Sequence, residues 1–100
     1  MLYYTQIIFL KEGQQDQFNL FESHVLPLLG KYNGVLLYRL RPTDESIVET
    51  AIGKPYELQL VSFPSREDFN GYAKDDDRLK HLNLKNTSIE KVLLIEGKLL

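Results

Sequence analysis

A strand that runs directly into a helix is encoded at positions 56–69, which read YELQLVSFPSREDF. Strand-forming residues dominate its first half, and Pro64 cannot donate to the hydrogen-bond ladder of a sheet. Ser65 can cap a helix, and Asp68 follows it at the capping-box distance. The segment therefore predicts a strand over Tyr56–Phe63 and a helix that begins after Ser65.

The residues before this segment predict two more strands and a helix. Leu2–Leu10 is rich in Tyr, Ile, Phe and Thr, as strands are, and Val35–Arg41 is the second predicted strand, which Pro42 ends. Between them, the stretch 14–31 places apolar side chains on one face of a helix. These side chains and their C-terminal neighbour are Phe18, Phe21, Val25, Leu28, Leu29 and Tyr32. Pro27 should end the regular part of this helix early, and Asn33-Gly34 provides a left-handed stop.

The residues after it predict a second helix and a last strand. Phe69 and Tyr72 form the buried side of the helix, together with the neighbouring alanine. We expect the acidic run 75–77 to interrupt the helix as a solvated break, and 78–84 to add a helical turn or two. Ile89–Ile95 is the last strand. The order β-α-β-β-α-β is that of a ferredoxin-like α+β fold with an antiparallel sheet.

The chain of 100 residues has the size of one domain, and we assign residues 1–100 to a single one. Its helices should cover one face of the sheet and leave the other open. We assign to the helix side Leu36, Tyr38, Leu40, Leu58 and Leu60. The open side would then carry Val35, Leu37, Arg39, Arg41, Glu57, Gln59, Val61 and Phe63. Because uncovered apolar surface usually marks an interface, we expect a homodimer through this sheet face.

Composition excludes several classes of partner and cofactor. The net charge is −2 and no basic patch stands out, which argues against nucleic acid. No apolar run approaches the roughly 20 residues of a membrane span, and no signal peptide is visible, so we expect no membrane partner and a cytoplasmic location. The chain has no cysteine, its two histidines lack metal-site spacing, and no cofactor motif occurs; we predict neither metal nor cofactor.

Several segments resemble one family. They are Tyr32-Asn33-Gly34 with the later Arg39, the run Val61–Asp68, and Ile95-Glu96-Gly97. They are similar to a small family of uncharacterised domains of the dimeric α/β-barrel superfamily, which is ferredoxin-like and distantly similar to antibiotic-biosynthesis-type monooxygenases. The resemblance implies a homodimer whose two sheets form a barrel with the helices outside. The superfamily includes cofactor-free monooxygenases, muconolactone isomerases, haem-handling enzymes and domains without assigned activity, so the fold alone does not select the chemistry.

Charged residues supply the candidates for chemistry. His24 lies on the first helix, one residue before Val25, and would carry a proton at the cleft between helix and sheet; the alternative is a histidine at the core edge or one that faces solvent. His81 is a second candidate, in a charged segment. Arg39 and Glu57 would form a polar site in the barrel, with Arg39 holding an anionic group of the substrate, or else a cross-strand ion pair that only supports the structure.

Two tyrosines complete the predicted site. Tyr38 and Tyr72 would approach each other between the sheet and the second helix and pack an aromatic ring of a ligand, unless they are ordinary core residues. Three functions stay open at this point. The domain is a cofactor-free enzyme (monooxygenase-like or isomerase-like) acting on an aromatic or polyketide-like compound, a non-catalytic ligand sensor or carrier, or a structural dimerisation module.

Overall fold

The computed structural model describes all residues 1–100 and confirms the ferredoxin-like α+β fold. Its strands are β1 (Leu2–Leu10), β2 (Val35–Leu40), β3 (Glu57–Phe63) and β4 (Ile89–Gly97). Its α-helices are α1 (Gln15–Val25), α2 (Arg66–Ala73), α3 (Asp76–Leu79) and α4 (Leu82–Ser88), and 3₁₀ helices span Leu26–Tyr32 and Asp44–Ser46. The sheet order is β2-β3-β1-β4, and all neighbouring strands are antiparallel. None of the helices combines the length and the apolar character of a membrane span.

The predicted helix boundaries are confirmed. The α-helical part ends at Val25, and a 3₁₀ helix with Pro27 in its first turn continues to Tyr32. Asn33 then takes a left-handed conformation at φ 59°. The Ser65 hydroxyl accepts a hydrogen bond from the backbone N–H of Asp68 at 3.1 Å, which caps α2.

The acidic run after α2 is only partly the solvated break that its composition predicts. Asp75 does lie between α2 and α3, but Asp76 and Asp77 already belong to α3, and Asp75 is buried rather than solvated. Its carboxylate accepts hydrogen bonds from the side chains of Lys31 and Tyr32 and from the backbone N–H of Asp77. The hydrogen bonds from the lysine and the tyrosine hold the pKa of this carboxyl far below its usual range. Asp75 therefore ties the start of α3 to the end of the first helical segment.

The predicted assignment of sheet faces is wrong for β3. Val61 and Phe63 pack into the main core with Tyr4 and Leu29, on the helix side. Glu57 and Gln59 belong to the same alternating set as Val61 and Phe63 and are buried on the same side. The intervening residues of β3, Leu58 and Leu60, which were expected to face the helices, instead face the open side.

A β-bulge explains why β2 is assigned only half correctly. Leu36 pairs with Val61 on the helix side, as predicted. The next pair joins Tyr38 to Leu60, so two residues of β2 advance against one of β3, and Leu37 is the extra residue. The alternation changes phase there. Arg39 and Arg41 consequently turn to the helix side, whereas Tyr38 and Leu40 turn to the open side.

The open face of the sheet is apolar and carries almost no charge. Lys91, at one end, is the charged residue that the register places on it, and the others are Tyr3, Thr5, Ile7, Phe9, Val35, Tyr38, Leu40, Leu58, Leu60, Ser62, Leu93 and Ile95. Tyr38, the most exposed of the large ones, leaves 66% of its surface uncovered. The molecule measures 36 × 36 × 17 Å, the shape of a slab with one layer of helices on one layer of sheet. We call this surface the open face below.

Candidate functional site

A cavity lies on the helix side, between the sheet and the helical layer. It has a volume of about 290 Å³ and is lined mainly by apolar side chains. These are Ile8, Phe21, Val25, Phe69, Ala73, Ile89, Val92 and Leu94. The polar side chains on its wall are Gln6, Glu22, Gln59, Tyr72, Arg78 and Lys85. A mostly apolar concavity with a few convergent polar groups is the usual form of a small-molecule site.

Glu22 is the acidic group of the cavity. It lies on α1 within the helix face that buries Phe18, Phe21 and Val25, and only 6% of its surface is exposed. Loss of hydration on burial raises the pKa of Glu22 to about 7. The nearby charge of Glu57 adds to this rise, and the hydrogen bond from Gln59 opposes it. The carboxyl can therefore gain or lose a proton near neutral pH.

A buried chain of hydrogen bonds connects Glu22 to the surface. The Gln59 amide Nε2 donates to Glu22 Oε2 at 3.3 Å and to Glu57 Oε2 at 2.6 Å. Glu57 is completely buried and accepts from Arg39 Nε at 2.9 Å and from Arg41 Nε at 3.0 Å. The predicted contact between Arg39 and Glu57 is thus present, but on the helix side of the sheet. The ion pairs of Glu57 with the two arginines hold Glu57 in place. Glu57 in turn positions the Gln59 amide, which orients the Glu22 carboxyl.

Tyr72 is the predicted site residue that lines this cavity. Its hydroxyl donates to the backbone carbonyl of Val25 at 3.3 Å, and its ring packs against Tyr32 and Phe63. Burial raises the pKa of Tyr72 to about 12, so the phenol stays protonated throughout the neutral range. The predicted approach of Tyr38 to Tyr72 is wrong, because Tyr38 lies on the opposite face of the sheet.

The two histidines lie together, but outside the cavity. Their rings stack with centroids 3.9 Å apart and an interplanar angle of 11°. His24 is exposed on α1, and the Nδ1 of His81 lies 2.8 Å from the backbone carbonyl of Asp77. No group of three or more potential metal ligands occurs in the chain. The expectation that His24 reaches the cleft is wrong in position, and Glu22 occupies the place predicted for it.

The cavity residues that the sequence analysis missed carry weak signals. Glu22 stands four residues after Phe18 and three before Val25, within an otherwise apolar helix stripe, and a buried acid of this kind is unusual enough to mark a site. Arg78 and Lys85 lie in short helices whose buried sides the sequence does not define. Their place on the cavity wall follows only from how α3 and α4 pack.

Comparison with known proteins supports the fold. No family model matches the chain. No curated protein matches it either. Solved structures do: a protein of unknown function from Rhodopseudomonas palustris has a TM-score of 0.83 at 11% identity, covering 99% of this chain and 82% of that one. A DABB family protein from Mesorhizobium loti has a TM-score of 0.67 at 18% identity, covering 99% and 96%. A dimeric ferredoxin-like protein of unknown function from Jannaschia has a TM-score of 0.71 at 14% identity, covering 98% of each chain.

Proposed function

We propose that this chain forms a homodimer in which each protomer binds a small, largely apolar molecule and exchanges a proton with it at Glu22. The observation that carries the proposal is the Glu22 carboxyl on the wall of the cavity between sheet and helices. The cavity belongs to one protomer. Dimerisation and ligand binding therefore use opposite faces of the same sheet, unlike the site inside the barrel that the sequence suggests.

The electrostatics of Glu22 suit general acid–base chemistry. A proton carrier works best when its pKa lies near the working pH, and that of Glu22 is about 7. In its ionised form the carboxylate would take a proton from a carbon or oxygen of the bound molecule. The same proton would then return to another atom of that molecule, so that atoms and charge balance without a co-reactant. Such a proton transfer is an isomerase-like reaction, one of the two kinds of cofactor-free enzyme, monooxygenase-like and isomerase-like, that we expect from the sequence.

The open face supports the dimer. Several of its large apolar side chains are exposed, and the centre of this face carries no charged residue. Burying such a side chain is worth roughly 1.5–3 kcal/mol. A ferredoxin-like neighbour of similar structure, from Jannaschia, is dimeric. Because an isologous interface lets one patch serve both partners, a two-fold dimer is the simplest way to cover this face. The cytoplasmic location stays a prediction.

The ligand site can be tested by filling it. Ala73 lines the cavity at the end of α2, and Ala73→Leu adds three carbons to its wall. A panel of aromatic compounds should contain members that raise the melting temperature of the wild type but not of this variant. The matched control is Ala51→Leu at an exposed position of the connection between β2 and β3. The variant's own circular dichroism shows whether it is folded.

Two outcomes would contradict the proposal. One is a panel in which no compound stabilises the wild type. The other is stabilisation of the Ala73→Leu variant equal to that of the wild type, which would place the ligand elsewhere, for example on the open face. Ligand binding together with an inert Glu22 would favour the carrier or sensor instead of the enzyme.

A further inference from the structure

Arg78 is a partly buried cation without an acidic partner. It belongs to α3, and its Nε is inaccessible to solvent and has no hydrogen-bond partner in the protein. Its Nη1 donates to the backbone carbonyl of Ala73 at 3.3 Å, and Arg78 takes part in none of the ion pairs of the chain. Arginine and its charge are costly to bury unless the guanidinium finds an anion or enough acceptors. The protein itself provides no ion-pair partner for this guanidinium on the cavity wall.

Aromatic rings hold this guanidinium in place. Its central carbon lies 5.3 Å from the centroid of the Tyr72 ring and 5.8 Å from that of Phe21, within the range of cation–π contacts. Both rings also line the cavity. The arginine is therefore fixed by packing, which preorganises its donors and lowers the entropic cost of binding a ligand.

Lys85 adds a second positive charge to the same wall. It reaches the cavity from α4 and is partly buried. Burial lowers the pKa of Lys85, and repulsion from the positive charge of Arg78 lowers this pKa further. The one acidic side chain on the wall is Glu22. The cavity wall thus carries two cationic side chains and one carboxyl group, so its net charge is positive.

We infer that Arg78, assisted by Lys85, forms an anion subsite, and that the molecule bound in this cavity is an apolar, ring-containing compound with a single carboxylate or similar anionic group. The inference rests on the proposed function, because it names the ligand class of the same cavity. The guanidinium fork can give a carboxylate two parallel hydrogen bonds. The apolar remainder of the wall would take the hydrocarbon part of the molecule. A neutral guest would leave the positive charge of Arg78 without a counter-ion.

A pair of nearly isosteric probes separates charge from shape. 2-Naphthoate carries the anionic group, and 2-naphthamide replaces it with a neutral amide of similar size. Titration followed by NMR should show both ligands shifting cavity resonances, with the naphthoate bound roughly ten-fold more tightly, since hydrogen bonds between charged groups are stronger than those of a neutral amide. Arg78→Met should bring the two affinities to within about two-fold and leave that of the amide unchanged.

Two further variants control this result. Lys80→Met removes a positive charge two residues away, on an exposed side chain outside the cavity, and should keep the preference for naphthoate. Arg78→Lys keeps the charge but loses the fork, and should keep part of the preference even if the methionine variant folds poorly. Equal affinity of the wild type for the two probes overturns the anion subsite, as does a preference that survives in folded Arg78→Met. If neither probe moves a cavity resonance, both the subsite and the proposed function are contradicted.

Discussion

Glu22 is a carboxyl group that folding transfers from water to an apolar wall. Only its hydrogen bond with Gln59 and the charges of Arg39 and Arg78 offset the lost hydration. The folded state therefore favours the protonated form, in contrast to Asp75, whose partners favour the ionised form. Two buried acids in one small domain thus have opposite protonation preferences. The difference identifies Glu22 as the group suited to chemistry and Asp75 as a structural one.

This preference predicts a pH-dependent stability. The pKa of Glu22 is about 7 in the folded state and near 4.5 when exposed. Below pH 4.5 both states hold the proton. Between these values only the unfolded chain ionises, so the free energy of unfolding should fall as pH rises, by up to about 3 kcal/mol at pH 8. Glu22→Gln should abolish this part of the slope, and urea denaturation at several pH values between 5 and 8 measures it.

The control for this prediction is Glu12→Gln. Glu12 is an exposed glutamate just before α1, so the same loss of charge occurs without a change in a buried group. It should leave the slope of the wild type intact. A Glu22→Gln protein that follows the wild-type slope from pH 5 to 8 would show that Glu22 is not held protonated by its surroundings.

At the scale of elements, helices and strands were predictable because their signals are local. Pro27 ends α1, Asn33 supplies the left-handed stop, and Ser65 caps α2, and each acts within a few residues of itself. The sheet faces were not predictable. Both alternating sets of β3 contain apolar residues, so periodicity alone cannot say which set faces the helices. The bulge at Leu37 then exchanges the faces to which the later residues of β2 point, and no residue type in that strand predicts the bulge.

The same limit applied to the site. A histidine is the natural choice of proton carrier from sequence, so His24 was preferred over Glu22. The two residues lie two positions apart on α1, which places them on different sides of the helix. Only the packing of α1 against the sheet shows that Glu22 points to the cavity and that His24 is exposed.

The contact between α2 and the 3₁₀ helix Leu26–Tyr32 gives a prediction at the scale of elements. A Cβ atom at Gly71 would lie 2.7 Å from Cδ1 of the Tyr32 ring, whereas one at Gly30 would meet nothing within 4 Å. Gly71→Ala should therefore lower the free energy of unfolding by about 1–3 kcal/mol through overpacking. The matched substitution Gly30→Ala should be neutral or slightly stabilising. Chemical denaturation measures both, and equal effects of the two changes would mean that α2 does not pack closely on Tyr32.

In the proposed function, the molecule divides two tasks between the two faces of one sheet. The helix side would bind the ligand in its cavity, and the open face would contact a second copy. Two leucines test this division because each leaves 49% of its surface exposed. Leu40 lies on the open face and Leu20 on the outer side of α1. Leu40→Lys should convert the dimer to a monomer by adding a charge to the interface, and Leu20→Lys should leave it dimeric.

Sedimentation velocity at micromolar concentration measures the oligomeric state of the wild type and of the Leu40→Lys and Leu20→Lys variants. A monomeric Leu40→Lys protein should still bind its ligand, because the cavity lies within one protomer. A wild type that sediments as a monomer would contradict the interface. Equal weakening of the dimer by both substitutions would show that the contact is not confined to the open face.

The most direct measurement of Glu22 as the proton carrier of the cavity is the titration of its side-chain carboxyl carbon by ¹³C NMR. The resonance is assigned by its absence from Glu22→Gln, and Glu12 serves as the exposed reference. A midpoint near pH 7 is expected, because burial against apolar side chains destabilises the carboxylate. A midpoint near 4.5, the value of an exposed glutamate, would show that the carboxyl is already ionised in neutral solution and would contradict the proposed chemistry.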